Sequence, residues 1–146
     1  MRLLLVEDNY FHADLIRQGL IEELPRLEVT IISSEQEFRM RLAELAVSPP
    51  DVILMDISLT WTHDRRDRSP APEDVRLGGF YKAGFRCQQL LERGEKTRSI
   101  PLILLSVIDL AEFEREFQSL PANVRAMQKQ TDQKALAALI GKMVGL

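Results

Sequence analysis

Chemically reactive side chains follow the apolar runs of this sequence, at the positions where the runs end. These run-end residues are Glu7 and Asp8, Ser33, Asp56, Ser106 and Lys129. If the runs are strands of one parallel sheet, three carboxylates would meet there and repel one another. A divalent cation with oxygen ligands relieves that repulsion, and Mg²⁺, which takes a few carboxylates plus substrate phosphate, suits this set best. With the metal bound, one carboxylate can attack phosphorus while the ammonium and hydroxyl groups neutralise the phosphoryl oxygens, which would give an aspartyl phosphate.

The most regular of these runs is the one that ends at Asp56. Residues 52–55 are four apolar positions in a row after Pro49 and Pro50, the pattern of a strand buried on both faces of a parallel sheet. Asp56 would then lie at the carboxyl edge, where open α/β sheets place their chemistry. Taken alone, Asp56 is better explained as a residue that only ends the strand and turns the chain. The acidic pair after residues 2–6, which are apolar apart from Arg2, repeats the pattern and favours a functional role.

Strand and helix signals alternate along the rest of the chain. Besides residues 2–6 and 52–55, strands are predicted at 28–33, 102–105 and 124–128. The residues predicted to cap or begin helices are Asn9, Ser34, Phe85, Asp109, and Thr131 or Asp132. The apolar positions predicted to form the buried faces of these helices are Leu15, Ile16, Leu20 and Leu24; Phe38, Leu42 and Leu45; Cys87, Leu90 and Leu91; Leu110, Phe113 and Phe117; and Leu136, Leu139, Ile140, Met143 and Val144. Five βα units with right-handed crossovers make a parallel sheet whose carboxyl ends meet at one edge.

Composition indicates an ordinary soluble globular protein. The 146 residues are enough for one domain with a real core, and no apolar run approaches the roughly 18 residues that a membrane span needs. Apart from Arg2, residues 1–6 are apolar, but acidic residues follow where a signal peptide would continue, so we expect a cytoplasmic protein with no membrane association. Cys87 is the only cysteine and the two histidines, His12 and His63, are far apart, which excludes a disulfide and a conventional zinc site. The net charge of −3 gives no general attraction to nucleic acid.

Residues 60–82 interrupt the alternation of strands and helices. This segment is too long for a βα connection, which typically has about 2–6 residues, so we predict an insertion. Its charges nearly balance, with five basic and four acidic residues, and a solvated, partly mobile loop is the favoured interpretation. The alternative is an element for partner binding or self-association, anchored by Trp61, Phe80 and Tyr81.

The ordered set of run-end residues resembles the receiver domain of two-component response regulators. The resemblance rests on the acidic pair, the aspartate, the serine and the lysine that follow the first, third, fourth and fifth strands. It covers essentially the whole chain apart from residues 60–82. The resemblance implies a single receiver domain over residues 1–146, with a flavodoxin-like (βα)5 fold: a doubly wound parallel α/β sheet of strand order 2-1-3-4-5.

The resemblance also implies roles for individual residues. Asp56 resembles the phosphoacceptor of the family, Ser106 its switch hydroxyl and Lys129 its invariant lysine. The implied Mg²⁺ ligands are Glu7, Asp8, Asp56 and the backbone carbonyl of Ser58. A histidine kinase or a histidine phosphotransfer protein would supply the phosphoryl group, and a downstream protein would receive the signal.

Four features depart from the family pattern. The segment 60–82 makes the loop much longer than usual, judged from the position of Gly84, where the family usually has a glycine. Ala126 stands where the family has its switch aromatic, and Gln130 where it usually has a proline, commonly after a cis peptide bond. Val107 stands where small residues are common and is predicted to narrow access to an acyl phosphate. Phosphorylation is therefore expected to be intact, with signal output rewired.

Three functions are compatible with these residues. The leading hypothesis is a stand-alone receiver, since the chain ends with the fifth helix at Leu146; a receiver cut from a longer regulator would look the same. Neither would have enzymatic activity apart from its own phosphorylation and dephosphorylation at Asp56. Ala126, Gln130 and the long loop motivate the alternative, a non-phosphorylated receiver-like interaction module. An aspartyl-phosphate phosphohydrolase resembling the haloacid dehalogenase group is disfavoured, because those enzymes usually carry a second aspartate where this chain has Ser58.

Overall fold

The computed structural model describes residues 1–67, 69–129 and 132–146. Three residues of the sequence predictions lie outside the described residues. They are Arg68 of the insertion, Gln130 at the expected proline position, and Thr131 as a possible first residue of the last helix.

Five parallel strands form one sheet in the order β2-β1-β3-β4-β5, which confirms the predicted flavodoxin-like topology. The strands are β1 (Arg2–Val6), β2 (Glu28–Ile32), β3 (Val52–Asp56), β4 (Leu102–Ser106) and β5 (Val124–Gln128). The three central strands are almost wholly buried, as their unbroken apolar runs predicted. Met55 of β3 pairs in register with Val6 of β1 and with Leu104 of β4. The residues that follow these positions therefore lie side by side at the carboxyl edge.

Helices cover both faces of the sheet. They are α1 (Tyr10–Glu23), α2 (Glu35–Met40), α3 (Leu42–Val47), α4 (Glu73–Gly78), α5 (Ala83–Arg93), α6 (Glu114–Gln118) and α7 (Gln133–Val144). Alternate residues of β1 show the division: Leu3 and Leu5 pack with α1 and α7, whereas Leu4 and Val6 pack with α2, α3 and α5. Cys87 of α5 is a buried core thiol, as predicted. Among the described residues, no helix has both the length and the apolar character that a membrane crossing requires.

Three details of the helix predictions are wrong. The helix predicted to follow Asp109 begins as a 3₁₀ turn (Leu110–Phe113), and only Glu114–Gln118 is α-helical. Leu15 is 50% exposed, because Ala13, Ile16 and Leu20 form the buried face of α1. The predicted second helix is broken at Arg41 into α2 and α3.

The insertion is more ordered than a solvated loop. Its second half forms α4 and a 3₁₀ turn (Phe80–Lys82), and Val75 of α4 is buried. The favoured interpretation of residues 60–82 is therefore wrong for residues 73–82. Of the predicted aromatic anchors, Phe80 and Tyr81 are exposed, while Trp61 lies partly buried against the guanidinium group of Arg39. Self-association through this segment stays a prediction.

Gly84 lets α5 approach the end of β3. Its backbone N–H donates to the carbonyl oxygen of Ile57 at 2.8 Å. A Cβ atom at this position would lie 2.7 Å from the Cα atom of Ile57, closer than any real contact. Only glycine fits here, and the close approach fixes where the insertion ends relative to Asp56.

Candidate functional site

Three carboxylates meet at the carboxyl edge of β1 and β3. Glu7, Asp8 and Asp56 each offer an oxygen atom within 4.8 Å of the others. Glu7 and Asp56 are almost fully buried, whereas Asp8 is partly exposed. Two adjacent parallel strands that end at the same level are sufficient to bring these side chains together.

Lys129 is the cation of this cluster. Its Nζ atom lies 2.8 Å from Oδ2 of Asp56 and forms a second ion pair with the carboxylate of Glu7. The residue is positioned from β5 and held by its own backbone N–H, which donates to the carbonyl oxygen of Ser106 at 2.7 Å. Burial disfavours the ammonium form, but the hydrogen bonds to Asp56 and Glu7 outweigh it, so the pKa of Lys129 lies above its ordinary value. Lys129 is therefore charged at neutral pH.

The cluster carries surplus negative charge. Burial raises the pKa of both Glu7 and Asp56, and that of Glu7 rises to about 7. The neighbouring charge of Asp56 raises the pKa of Glu7 further, while the hydrogen bond from Lys129 opposes the shift. Among the described residues of this cluster, three carboxylates share one ammonium group. A set of hard oxygen ligands with excess negative charge fits a divalent cation such as Mg²⁺.

The run-end hydroxyls of Ser106 and Ser33 are bonded to residues that follow them closely in the chain. The buried hydroxyl of Ser106 donates to the carbonyl oxygen of Ile108 at 2.8 Å and accepts the N–H of the same residue at 3.0 Å. The N–H and hydroxyl of Ser33 both face the carboxylate of Glu37. Ser58 approaches the cluster through its backbone, since its N–H donates to Oδ1 of Asp56 at 3.2 Å. The structure therefore places Ser106 at the predicted carboxyl edge of the sheet. Among the described residues, its hydroxyl bonds to Ile108 and not to Asp56.

The site includes one contact that sequence reasoning missed. The backbone N–H of Thr60 donates to Oδ2 of Asp8 at 2.8 Å, although the two residues are 52 positions apart. A backbone donor can come from any residue type except proline, so no sequence signal pointed to this contact.

Exposed apolar side chains border the carboxyl edge. Those on the first half of α1 and in the loop after β4 are Tyr10, Phe11, Leu15, Val107 and Ile108. Leu15 and Val107 also line a cavity of about 200 Å³, and Lys129 lines the same cavity. The apolar rim therefore reaches the cation that pairs with Asp56.

The proton affinity of Glu7 predicts how stability depends on pH in the absence of metal. The pKa of Glu7 is about 7 in the folded protein against an ordinary value of 4.5, so the folded state binds this proton more tightly than the unfolded chain does. The resulting stabilisation of the folded state is complete below about pH 4.5 and is lost as pH rises through 7. We expect the free energy of unfolding to fall by roughly 3 kcal/mol from this source between about pH 4.5 and pH 7. Urea unfolding in chelator at several pH values measures the effect.

Glu7→Gln, whose amide does not titrate, should lose this part of the pH dependence. Glu28→Gln is the matched control, because Glu28 is an exposed glutamate of β2. Equal pH profiles for wild type and Glu7→Gln would contradict the prediction.

Comparison with known proteins finds similarity in structure alone. No protein-family model matches the chain, and no curated protein matches it. A sensor protein from Polaromonas sp. JS666 has a TM-score of 0.70 at 21% identity, with 99% of this chain and 95% of that chain covered. The receiver domain of a sensor histidine kinase from Pseudomonas aeruginosa PAO1, solved with a magnesium ion coordinated in its active site cleft, has a TM-score of 0.68 at 20% identity, with 99% and 98% covered. A phosphorylated cyanobacterial phytochrome response regulator has a TM-score of 0.66 at 20% identity, with 97% and 89% covered.

Proposed function

We propose that this chain, which has the fold of response-regulator receiver domains, accepts a phosphoryl group on Asp56 in a two-component or phosphorelay system. The observation that carries the proposal is the environment of Asp56, a buried carboxylate that forms an ion pair with Lys129 and lies in one cluster with Glu7 and Asp8. A buried carboxylate beside both a cation and metal-binding oxygens is equipped for phosphoryl transfer.

The side chains around Asp56 have distinct tasks in this reaction. A carboxylate oxygen of Asp56 attacks phosphorus, the bond from phosphorus to the donor atom breaks, and the donor leaves with the electron pair. The products are an acyl phosphate on Asp56 and the free donor. Lys129 remains protonated and neutralises charge on the phosphoryl oxygens, while the N–H of Ser58 orients the carboxylate.

Glu7, Asp8 and Asp56, with the carbonyl of Ser58, would hold Mg²⁺. When bound, the metal would neutralise the phosphoryl oxygens and the acidic pair together. The surplus negative charge of the cluster supports this assignment. So does the magnesium ion described in the active site cleft of the similar Pseudomonas receiver domain.

The exposed apolar rim supports a protein as the phosphoryl donor. Tyr10 and Phe11 on α1 and Val107 and Ile108 after β4 present apolar surface next to the reaction site. Such a patch is typical of a protein contact. A histidine kinase or a histidine phosphotransfer protein would dock there, and output would follow by contact with a downstream protein.

A non-phosphorylated interaction module is the second candidate. It is favoured by Ser106, whose hydroxyl is bonded to its own loop, and by Ala126, whose methyl group packs partly buried against the core. A protein with these features would keep the fold and lose the switch.

Intact mass spectrometry after incubation with Mg²⁺ and acetyl phosphate tests the proposal. We expect a phosphoryl adduct that peptide mapping, after reduction of the acyl phosphate to its alcohol, locates at Asp56. If no adduct is seen, binding of beryllofluoride, a stable mimic of the phosphoryl group, decides whether the adduct was only short-lived. Absence of both would refute the phosphoacceptor and favour the interaction module.

A further inference from the structure

The first residues of the insertion pass beside the acidic cluster. We call residues 60–67 the strap. Its first residue, Thr60, donates its backbone N–H to Oδ2 of Asp8 at 2.8 Å. Because the donor belongs to the backbone, its position depends on the path of the whole strap and not on one side chain. The orientation of the Asp8 carboxylate is therefore tied to where the strap lies.

The strap is bound to the N-terminal turn of α2. The carbonyl oxygens of Thr60 and Trp61 accept the free N–H groups of Glu35 and Gln36, at 3.0 and 2.9 Å. The side-chain amide of Gln36 donates to Asp67 at 2.8 Å. These bonds satisfy helix N–H groups that would otherwise lack a partner, which gives the strap a defined path.

A buried ion cluster fixes α2 against the rest of the insertion. The carboxylate of Glu35 is fully buried and accepts two hydrogen bonds from Arg86 of α5, at 3.0 and 2.6 Å, and one from Arg39 at 2.8 Å. Arg39 also pairs with Asp74 of α4 at 2.7 Å and lies over the ring of Trp61. One guanidinium group thus contacts α2, α4 and the strap.

We propose that Thr60 is a positioning residue for Mg²⁺ binding and that this ion cluster keeps it in place. The inference rests on the metal site of the proposed function. The N–H of Thr60 restrains the Asp8 carboxylate, so that less side-chain freedom is lost when the metal binds. Hydrogen bonds that orient metal ligands typically change metal affinity about 10- to 100-fold.

Two substitutions of Thr60 separate the backbone N–H from the side chain. Thr60→Pro removes the N–H and keeps the carbonyl that accepts from α2, whereas Thr60→Ala keeps both. We expect Thr60→Pro to weaken binding of Mg²⁺ alone about tenfold and Thr60→Ala to leave it unchanged, as measured by calorimetry on the full chain. Wild-type affinity in Thr60→Pro, or equal weakening in both variants, would overturn the inference.

Arg39→Gln tests the same inference without introducing proline. It removes the contacts of the Arg39 guanidinium group to Glu35, Asp74 and Trp61, while Glu35 keeps both hydrogen bonds from Arg86. We expect Mg²⁺ binding about threefold weaker, with altered fluorescence of Trp61, the only tryptophan. Unchanged affinity in this variant would overturn the role of the ion cluster. If the wild-type protein binds no Mg²⁺, the metal site itself is refuted. If the wild type binds Mg²⁺ and both Thr60→Pro and Arg39→Gln bind it equally well, only the inference is refuted.

Discussion

Asp56→Asn should fold normally and form no phosphoryl adduct. The amide nitrogen and oxygen of asparagine are far weaker nucleophiles than a carboxylate, so the loss of adduct is expected to be complete. The fold should survive, because burial already disfavours the charge of Asp56 and the amide removes its repulsion towards Glu7 and Asp8. Intact mass after treatment with acetyl phosphate and Mg²⁺ measures the adduct, and thermal unfolding measures the fold.

Asp51→Asn is the matched control for this loss. Asp51 immediately precedes β3, is exposed, and accepts the N–H of Arg2 at 2.7 Å, a bond that the asparagine oxygen can keep. The control should therefore form the adduct as the wild type does. An adduct of undiminished yield on Asp56→Asn would show that another residue accepts the phosphoryl group.

The sheet and the convergence of the acidic residues could be predicted because they depend on local patterns. Apolar runs of strand length, each followed by a polar residue, specify strands that end at one edge once right-handed crossovers are assumed. Asp56 and the pair Glu7 and Asp8 were predicted to lie together in this way, and the structure places them within one cluster. Their roles in binding metal and phosphoryl groups stay predictions.

The orientation of Ser106 could not be predicted in the same way. A residue's place at the end of β4 follows from the strand pattern, but the direction of its hydroxyl depends on the loop that follows. Here the loop turns back so that Ile108 satisfies both the donor and the acceptor capacity of that hydroxyl. Side-chain rotation of this kind leaves no periodic signal in the sequence.

The folded structure of the insertion could not be predicted, for a different reason. Its composition is nearly charge-balanced, which is typical of a solvated segment, and the contacts that hold it are distant in sequence. Arg86 and Glu35 are 51 residues apart, and Arg39 and Asp74 are 35 apart. A glutamate in the first turn of a helix is ordinarily explained by the helix dipole, so Glu35 gave no sign that it would be buried.

Arg86→Met should strongly destabilise the protein. Glu35 is fully buried, and Arg86 supplies two of the three side-chain hydrogen bonds to its carboxylate. Removing one partner of a buried ion pair leaves a poorly compensated charge, which costs about 3–5 kcal/mol of stability. Because Glu35 keeps its hydrogen bond from Arg39, we expect the free energy of unfolding of Arg86→Met to fall by about 3 kcal/mol. For a chain of this size the melting temperature should fall by roughly 10 °C. Urea unfolding gives the free energy directly.

Two further variants distinguish a buried uncompensated charge from a general loss of packing. Arg93→Met, at an exposed arginine in the last turn of the same helix, should change stability by less than about 0.5 kcal/mol. The double variant Glu35→Met with Arg86→Met should be more stable than Arg86→Met alone, because it removes a buried carboxylate that has lost two of its three hydrogen bonds and leaves Arg39 paired with Asp74. If the double variant were instead less stable than Arg86→Met, the penalty would come from lost packing between α2 and α5. In that case the cluster would hold the insertion through the shape of its side chains and not through their charge.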